Sequence, residues 1–259
     1  MIKKPQLPAT QKENIAMIQQ WFESEIGCEL LQAQQRAINR LLPRLFGYYL
    51  VEVAVNPTMN LSAESLIGHK VVVSNQHMLG LCDKSIVCQP TELPFEHNSI
   101  DVVLLHHTLD FTDNPHQVLR EAIRVLRPGG HLLVVGFNPA SWWGLRRLCA
   151  RKIKAPWQRG QFISHGRLVD WTSLLGLTQL RSMTDYYLPP FVSDKWRRRF
   201  EKLQAYGRRS MPKNGAFYLS LARKDIEGIT PIKRIKFSRK LYTLPVRKPA
   251  TREQMRERS

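Results

Sequence analysis

The chain has 259 residues, 43% of them hydrophobic, and a formal net charge of +18; this length suits one large domain with additions, and the charge favours polyanionic partners. No apolar run approaches the roughly 18–20 residues of a membrane-spanning helix, and no apolar stretch follows the charged N-terminal residues as a secretory signal requires. The four cysteines, Cys28, Cys82, Cys88 and Cys149, form no CxxC pair, which argues against a zinc site or a disulfide framework and for reduced thiols in a cytoplasmic protein.

The first elements read as helices. Ile15, Ile18, Trp21 and Phe22, and then Leu30, Leu31, Ala37, Ile38, Leu41 and Leu42, recur at helical spacing within residues 11–46. Gly27 is expected to separate two helices, with Pro43 and Gly47 ending the second. Residues 49–55 are apolar and β-branched and predict a buried strand, closed by Asn56 and Pro57. A short helix is expected over 63–67, then strands over 70–73, 85–88 and 99–105. The last is nearly all apolar, as a parallel strand covered on both faces should be.

Asn114 and Pro115 open a helix running to Val125, because proline at the first helical position gives up only an N–H that would be unpaired anyway. Its apolar residues Val118, Leu119, Ala122, Ile123 and Leu126 share one face. The segment 127–130, Arg-Pro-Gly-Gly, is expected to turn the chain into a fifth strand over 131–136. Ser164 caps a helix to Leu175 that Gly176 stops. Two strands follow, 177–187 and 216–222, as an antiparallel excursion at the sheet edge. Alternating strands and helices with right-handed crossovers imply an α/β, doubly wound, mostly parallel sheet. The expected organisation is a helical extension over 1–47, the α/β domain over 48–224, and a basic, flexible tail over 225–259.

The stretch Leu-Pro-Phe at 93–95, the Ser-Ile-Asp-Val-Val at 99–103, and the run from His116 to Leu132 that ends in Val-Leu-Arg-Pro-Gly-Gly-His-Leu resemble the type 11 class I methyltransferases. In that family an LPF element precedes S-F-D-x-V, and a helix ends in L-R-E-x-x-R-V-L-x-P-G-G before the fifth strand. Here Ile100 replaces the phenylalanine. The resemblance extends more weakly over residues 48–224, and these matched residues are scaffold. It implies a Rossmann-like sheet, S-adenosylmethionine (SAM) as cofactor, and transfer of its methyl group to an acceptor that the sequence does not name.

The resemblance also places the cofactor at the carboxyl ends of the strands. The family's glycine-rich turn after the first strand corresponds here to 52–58, Glu-Val-Ala-Val-Asn-Pro-Thr. Glu52 keeps the acidic position, while Ala54, Asn56 and Thr58 stand where glycines are usual, with Pro57 among them. Glycine lets backbone approach a ligand closely, and proline fixes φ and removes a donor. The second strand ends in Ser74 and Asn75 where an acid usually contacts the ribose, and Gln89, Pro90 and Thr91 stand near the expected adenine. Amides and hydroxyls can make these bonds without charge assistance. Two readings stay open at this point: SAM held by atypical contacts, or a non-catalytic relative that binds RNA or another polyanion.

Candidate catalytic residues follow the fourth strand. His106, His107 and Asp110 are expected beside the transferred methyl group, where they would orient or deprotonate an acceptor; the alternative is packing within the loop. The histidines lack metal-ligand spacing, so no metal is expected. After the fifth strand, the segment 136–147 carries Gly-Phe-Asn-Pro, a Trp-Trp-Gly and an Arg-Arg, and is similar to a bacterial branch of the same family. Its Asn138, Trp142, Trp143, Arg146 and Arg147 are the expected substrate contacts, with the tryptophans walling a pocket or else docking a helix on the core. Basic residues continue through Arg151, Lys152, Lys154 and Arg159, and through Lys195, Arg208 and Arg209, interleaved with Trp157, Trp196, Phe200 and Tyr206. That texture suits nucleic acid, an anionic membrane surface, or a solvated face.

Overall fold

The computed structural model describes residues 9–76, 84–150, 155–190, 207, 209 and 213–225, the side chains of 9–12 excepted. The chain divides into two compact units, residues 1–227 and 228–259. The second unit, and with it nearly all of the expected tail, lies outside the described residues, as do Cys82, Arg151, Lys152, Lys154, Lys195, Trp196, Phe200, Tyr206 and Arg208.

Two helices open the described chain, α1 (Ala9–Phe22) and α2 (Glu25–Asn39). The break falls at residues 23–24, and Gly27 lies inside α2. Ser24 is the N-cap and accepts the Gly27 N–H at 3.3 Å, a bond that satisfies a donor with no partner inside the helix. Gly27 is needed for a different reason from the one expected: a Cβ there would lie 2.2 Å from the Trp21 carbonyl oxygen, so the helices could not meet so closely. Among the described residues no helix is long and apolar enough to cross a membrane.

Seven strands follow: β1 (Tyr49–Ala54), β2 (His69–Ser74), β3 (Ser85–Val87), β4 (Ile100–His106), β5 (Leu126–Phe137), β6 (Leu177–Asp185) and β7 (Phe217–Lys224). They form one sheet in the order β3-β2-β1-β4-β5-β7-β6. The pairs among β1–β5 are parallel, while β7 runs antiparallel to both β5 and β6. The strand order reverses beside β1, which creates the crevice where ligands of such sheets bind. The helices after β4 and β5 are α3 (Pro115–Val125), α4 (Trp142–Cys149) and α5 (His165–Leu174).

Strand periodicity sorts the core into two layers. Leu50 and Ala54 of β1, Val102 and Leu104 of β4, Leu133, Val135 and Phe137 of β5, and Phe217, Leu219 and Leu221 of β7 face one layer, with Ile18, Leu30 and Ile38 of α1 and α2 and Trp143 of α4. Val51, Val53, Val103, Leu105, Leu132 and Val134 face the other, against Val118, Leu119 and Ala122 of α3 and Leu168 of α5. The two N-terminal helices therefore complete one of the two layers that bury the sheet.

Two local expectations are corrected. Residues 61–64 form a turn rather than a helix over 63–67, because the Leu61 and Ser62 N–H groups are engaged by a side chain from β1, described below. The Arg-Pro-Gly-Gly segment also does not stop ahead of the fifth strand. Leu126 pairs with Ile100 and His131 with Val102, so the intervening residues bulge out of a strand that has already begun. Gly129 takes φ +79° at that bulge, a conformation that side chains with a Cβ rarely adopt. Asp101 ties the region together: its Oδ2 accepts the Tyr48 and Tyr49 N–H groups at 2.7 and 2.8 Å, and its Oδ1 pairs with Arg127 at 2.6 Å.

Candidate cofactor site at the strand ends

The carboxyl ends of β1, β2 and β4 and the segment after β3 enclose a cavity of about 200 Å³. It is lined by Ala54 and Val55 after β1, by Asn75 after β2, by Gln89, Pro90 and Thr91 after β3, and by Thr108 and the segment 111–114 after β4, with Ile15 of α1 on its wall. Five residues assigned to the cofactor from sequence, Ala54, Asn75, Gln89, Pro90 and Thr91, therefore meet on one cavity although three separate elements supply them.

The other three are placed elsewhere. Glu52 lies within β1 and is wholly buried. Its Oε1 accepts the Leu61 N–H at 3.1 Å and its Oε2 the Ser62 N–H at 3.0 Å. Burial pushes its pKa up, and the bonds from Ser62 and Leu61 oppose that rise. Asn56 folds back on its own turn, accepting the Thr58 hydroxyl at 2.8 Å. The Ser74 hydroxyl donates to the Gln76 carbonyl at 2.6 Å. None of the three lines the cavity.

The segment after β4 contributes more to the cavity than sequence reasoning gave it. Thr108, Phe111, Thr112, Asp113 and Asn114 all line it, and Asp113 brings the carboxylate. Thr108 is held by a 2.6 Å bond from its hydroxyl to the Val53 carbonyl across the neighbouring strand. The available signal was topological, since loops after the central strands converge on the ligand crevice.

His106, His107 and Asp110 occupy a different place from the one expected. All three are fully buried, and none lines the cavity. The alternation of β4 puts His106 on the face that α2 covers, and with φ 54° at His107 its ring lies on that face too, beside Phe22 and Phe137. Gln34 of α2 bridges the two rings: its Oε1 is 2.9 Å from His106 Nε2, and its Nε2 is 2.7 Å from His107 Nε2. His107 Nδ1 is 2.7 Å from Asp110 Oδ2, which also accepts the Phe137 N–H at 3.0 Å. Burial holds the His107 pKa down to about 3 and, with the neighbouring ring, holds His106 well below its usual range; burial pushes Asp110 well up. Both rings are thus neutral near pH 7. The arrangement positions α2 on the sheet and keeps both rings off the cavity.

The expected substrate contacts are divided. Trp143 is buried among Trp21, Phe137, Trp157 and Tyr186, and its Nε1–H donates to the Leu188 carbonyl at 2.9 Å. Asn138 pins the segment by donating to the Lys213 and Gly215 carbonyls and accepting the Ala140 N–H. Arg147 donates to the Gln158 carbonyl and lies over the Phe162 ring. Trp142 is exposed, and Arg146 lies beside it on α4. None of the five lines the cavity. Among the described residues no group of His, Cys, Asp and Glu is placed to hold a metal. Cys88 is a poor nucleophile there, since burial and Glu121 push its thiol up to about 11.

Comparison with known proteins follows the same architecture. A family model described as "Methyltransferase domain" matches residues 35–134. The Escherichia coli (strain K12) protein YafS, itself uncharacterized, is 32% identical over 236 residues, covering 88% of this chain and 91% of its own. Among solved structures, a Thermotoga maritima SAM-dependent methyltransferase, a possible histamine N-methyltransferase, superposes with a TM-score of 0.55 at 18% identity, over 83% of this chain and 95% of its own. Burkholderia thailandensis 1,6-didemethyltoxoflavin-N1-methyltransferase, solved with bound 1,6-didemethyltoxoflavin and S-adenosylhomocysteine, gives 0.52 at 14% identity, over 87% of this chain and 94% of its own.

Proposed function

The chain belongs to the type 11 family of class I methyltransferases, and from that premise we propose that it binds SAM in the strand-end cavity and methylates a separate acceptor. The observation that carries the reading is the convergence of Ala54, Asn75, Gln89, Pro90 and Thr91 on one cavity at the point where the strand order reverses. The donor set fits an adenosyl group. Asn75 and Thr91 offer an amide and a hydroxyl for ribose hydroxyls, Gln89 offers both a donor and an acceptor for a purine edge, and Pro90 an apolar contact. SAM supplies an electrophilic methyl group when bound. This chain's own residues hold and orient the reactants, which alone can account for a large share of a methyl transfer rate. No general base stands on the cavity among the described histidines, so an acceptor that needs deprotonation would have Asp113 as the carboxylate at hand.

A second reading rests on a specific observation. The cavity, about 200 Å³, is smaller than the ~300–1,000 Å³ of most small-molecule sites, and the turn that usually makes room has no glycine. The fold would then be kept without catalysis.

Isothermal titration with SAM and with S-adenosylhomocysteine separates the two. The proposal expects saturable binding, weakened about 2- to 10-fold by Asn75→Ala or Gln89→Ala, as loss of one neutral hydrogen bond implies. No heat at millimolar ligand, from protein shown to be folded, sinks it in favour of the second reading.

A further inference from the structure

Helix α4 is apolar on both sides. Its inner side docks through Trp143 and Gly144, which are buried. On the outer side Trp142 is 54% exposed, Leu145 48% and Leu148 83%, and Cys149 is exposed as well. At ~100° per residue these four fall within an arc of about 120° opposite the docked side. A surface helix ordinarily turns polar residues outward, so this arc is unexplained by the fold.

Two further observations say what covers it. Residues 122–169 contain no Asp or Glu, and the helix itself carries Arg146 and Arg147. Moreover, α4 begins five residues beyond the carboxyl end of β5, at the same edge of the parallel sheet where the cofactor cavity lies. Tryptophan and leucine beside a carboxylate-free cationic run are the composition of a helix lying in a bilayer interface, its apolar arc among the acyl chains and its cations among anionic headgroups. Other occupants suit the arc less well. Leu145 and Leu148 have no ring to stack on a base, and two copies of a chain with net charge +18 repel each other.

We propose that α4 is a membrane-docking helix that seats the protein on an anionic lipid surface, with the cavity-bearing edge of the sheet toward the bilayer. The proposal does not depend on cofactor binding, and its test contains no cofactor.

The test is flotation of the full chain with vesicles of phosphatidylglycerol mixed with phosphatidylcholine, and with vesicles of phosphatidylcholine alone. The chain is expected to float with the anionic vesicles and far less with the neutral ones. Leu145→Gln with Leu148→Gln is expected to weaken that association about tenfold or more, with thermal unfolding unchanged because both side chains are exposed. Failure of the wild type to float with anionic vesicles overturns the proposal. So does unchanged flotation of the double variant, or a double variant that still floats but loses self-association or RNA binding.

Discussion

Glu52 shows how a residue can keep a family position and a different set of partners. Both carboxylate oxygens are taken by the Leu61 and Ser62 N–H groups, so the acid clamps the turn that closes β1 to β2. Glu52→Ala leaves two buried donors without partners, each costing about 1–3 kcal/mol. Chemical denaturation is expected to show a loss of about 2–5 kcal/mol, with Glu52→Gln recovering part of it. His106 makes a pH-dependent contribution. Its folded pKa lies below the value of 6.5 for a free histidine, so below pH 6.5 the unfolded chain takes up a proton that the folded chain refuses. Its contribution is present above 6.5 and is lost, by about 1.4 kcal/mol per pH unit, as the solution is acidified. His106→Asn removes this term; denaturation at a series of pH values should show the wild type losing stability relative to the variant as pH falls. A pH-independent difference would show that His106 titrates normally in the folded state.

The elements differ in how far their sequences announced them. The central strands were legible because each contains a short apolar run bounded by turn residues, and α3 because its apolar positions repeat at helical spacing behind Pro115. Two boundaries were not legible, since a tertiary contact decides each. Gly27 reads as a helix breaker, but only the three-dimensional approach of Trp21 shows that it is there for space. Arg-Pro-Gly-Gly reads as a stop, but pairing of Leu126 with Ile100 carries the strand back across it. The adjacent tryptophans of α4 make the same point: sequence cannot tell which of two neighbours faces inward. Trp143→Ala should cost about 3–5 kcal/mol on denaturation, as truncation of a buried aromatic does, whereas Trp142→Ala should fall within about 0.5 kcal/mol of wild type. Equal losses at the two positions would contradict the inward and outward assignment.

At the scale of the whole molecule the doubly wound, mostly parallel sheet was implied by the alternation of elements, and five of the eight assigned cofactor residues converge on one cavity. Legibility stopped where a side chain had two candidate environments. Glu52, Asn56 and Ser74 have the right chain positions but spend their polar atoms on local turns, and no spacing rule distinguishes a clamp from a ligand contact. The histidines were legible as unusual but not as buried, because the layer that covers them comes from α2, some seventy residues earlier in the chain.

That covering bond has a polarity. His107 can offer Asp110 a proton only from Nδ1, which leaves its Nε2 to accept from the amide nitrogen of Gln34; the amide oxygen is then left to accept from Nε2 of His106. Every donor in the line points the same way, from His106 through the helix to the carboxylate, and each bond polarises the next. Two identical neighbouring side chains therefore hold their hydrogens on different nitrogens, and the asymmetry has one source. One accepting end, the Asp110 oxygen that also takes the Phe137 N–H, fixes the direction for all, so the orientation of an amide on α2 is decided by an aspartate on the far side of the His107 ring.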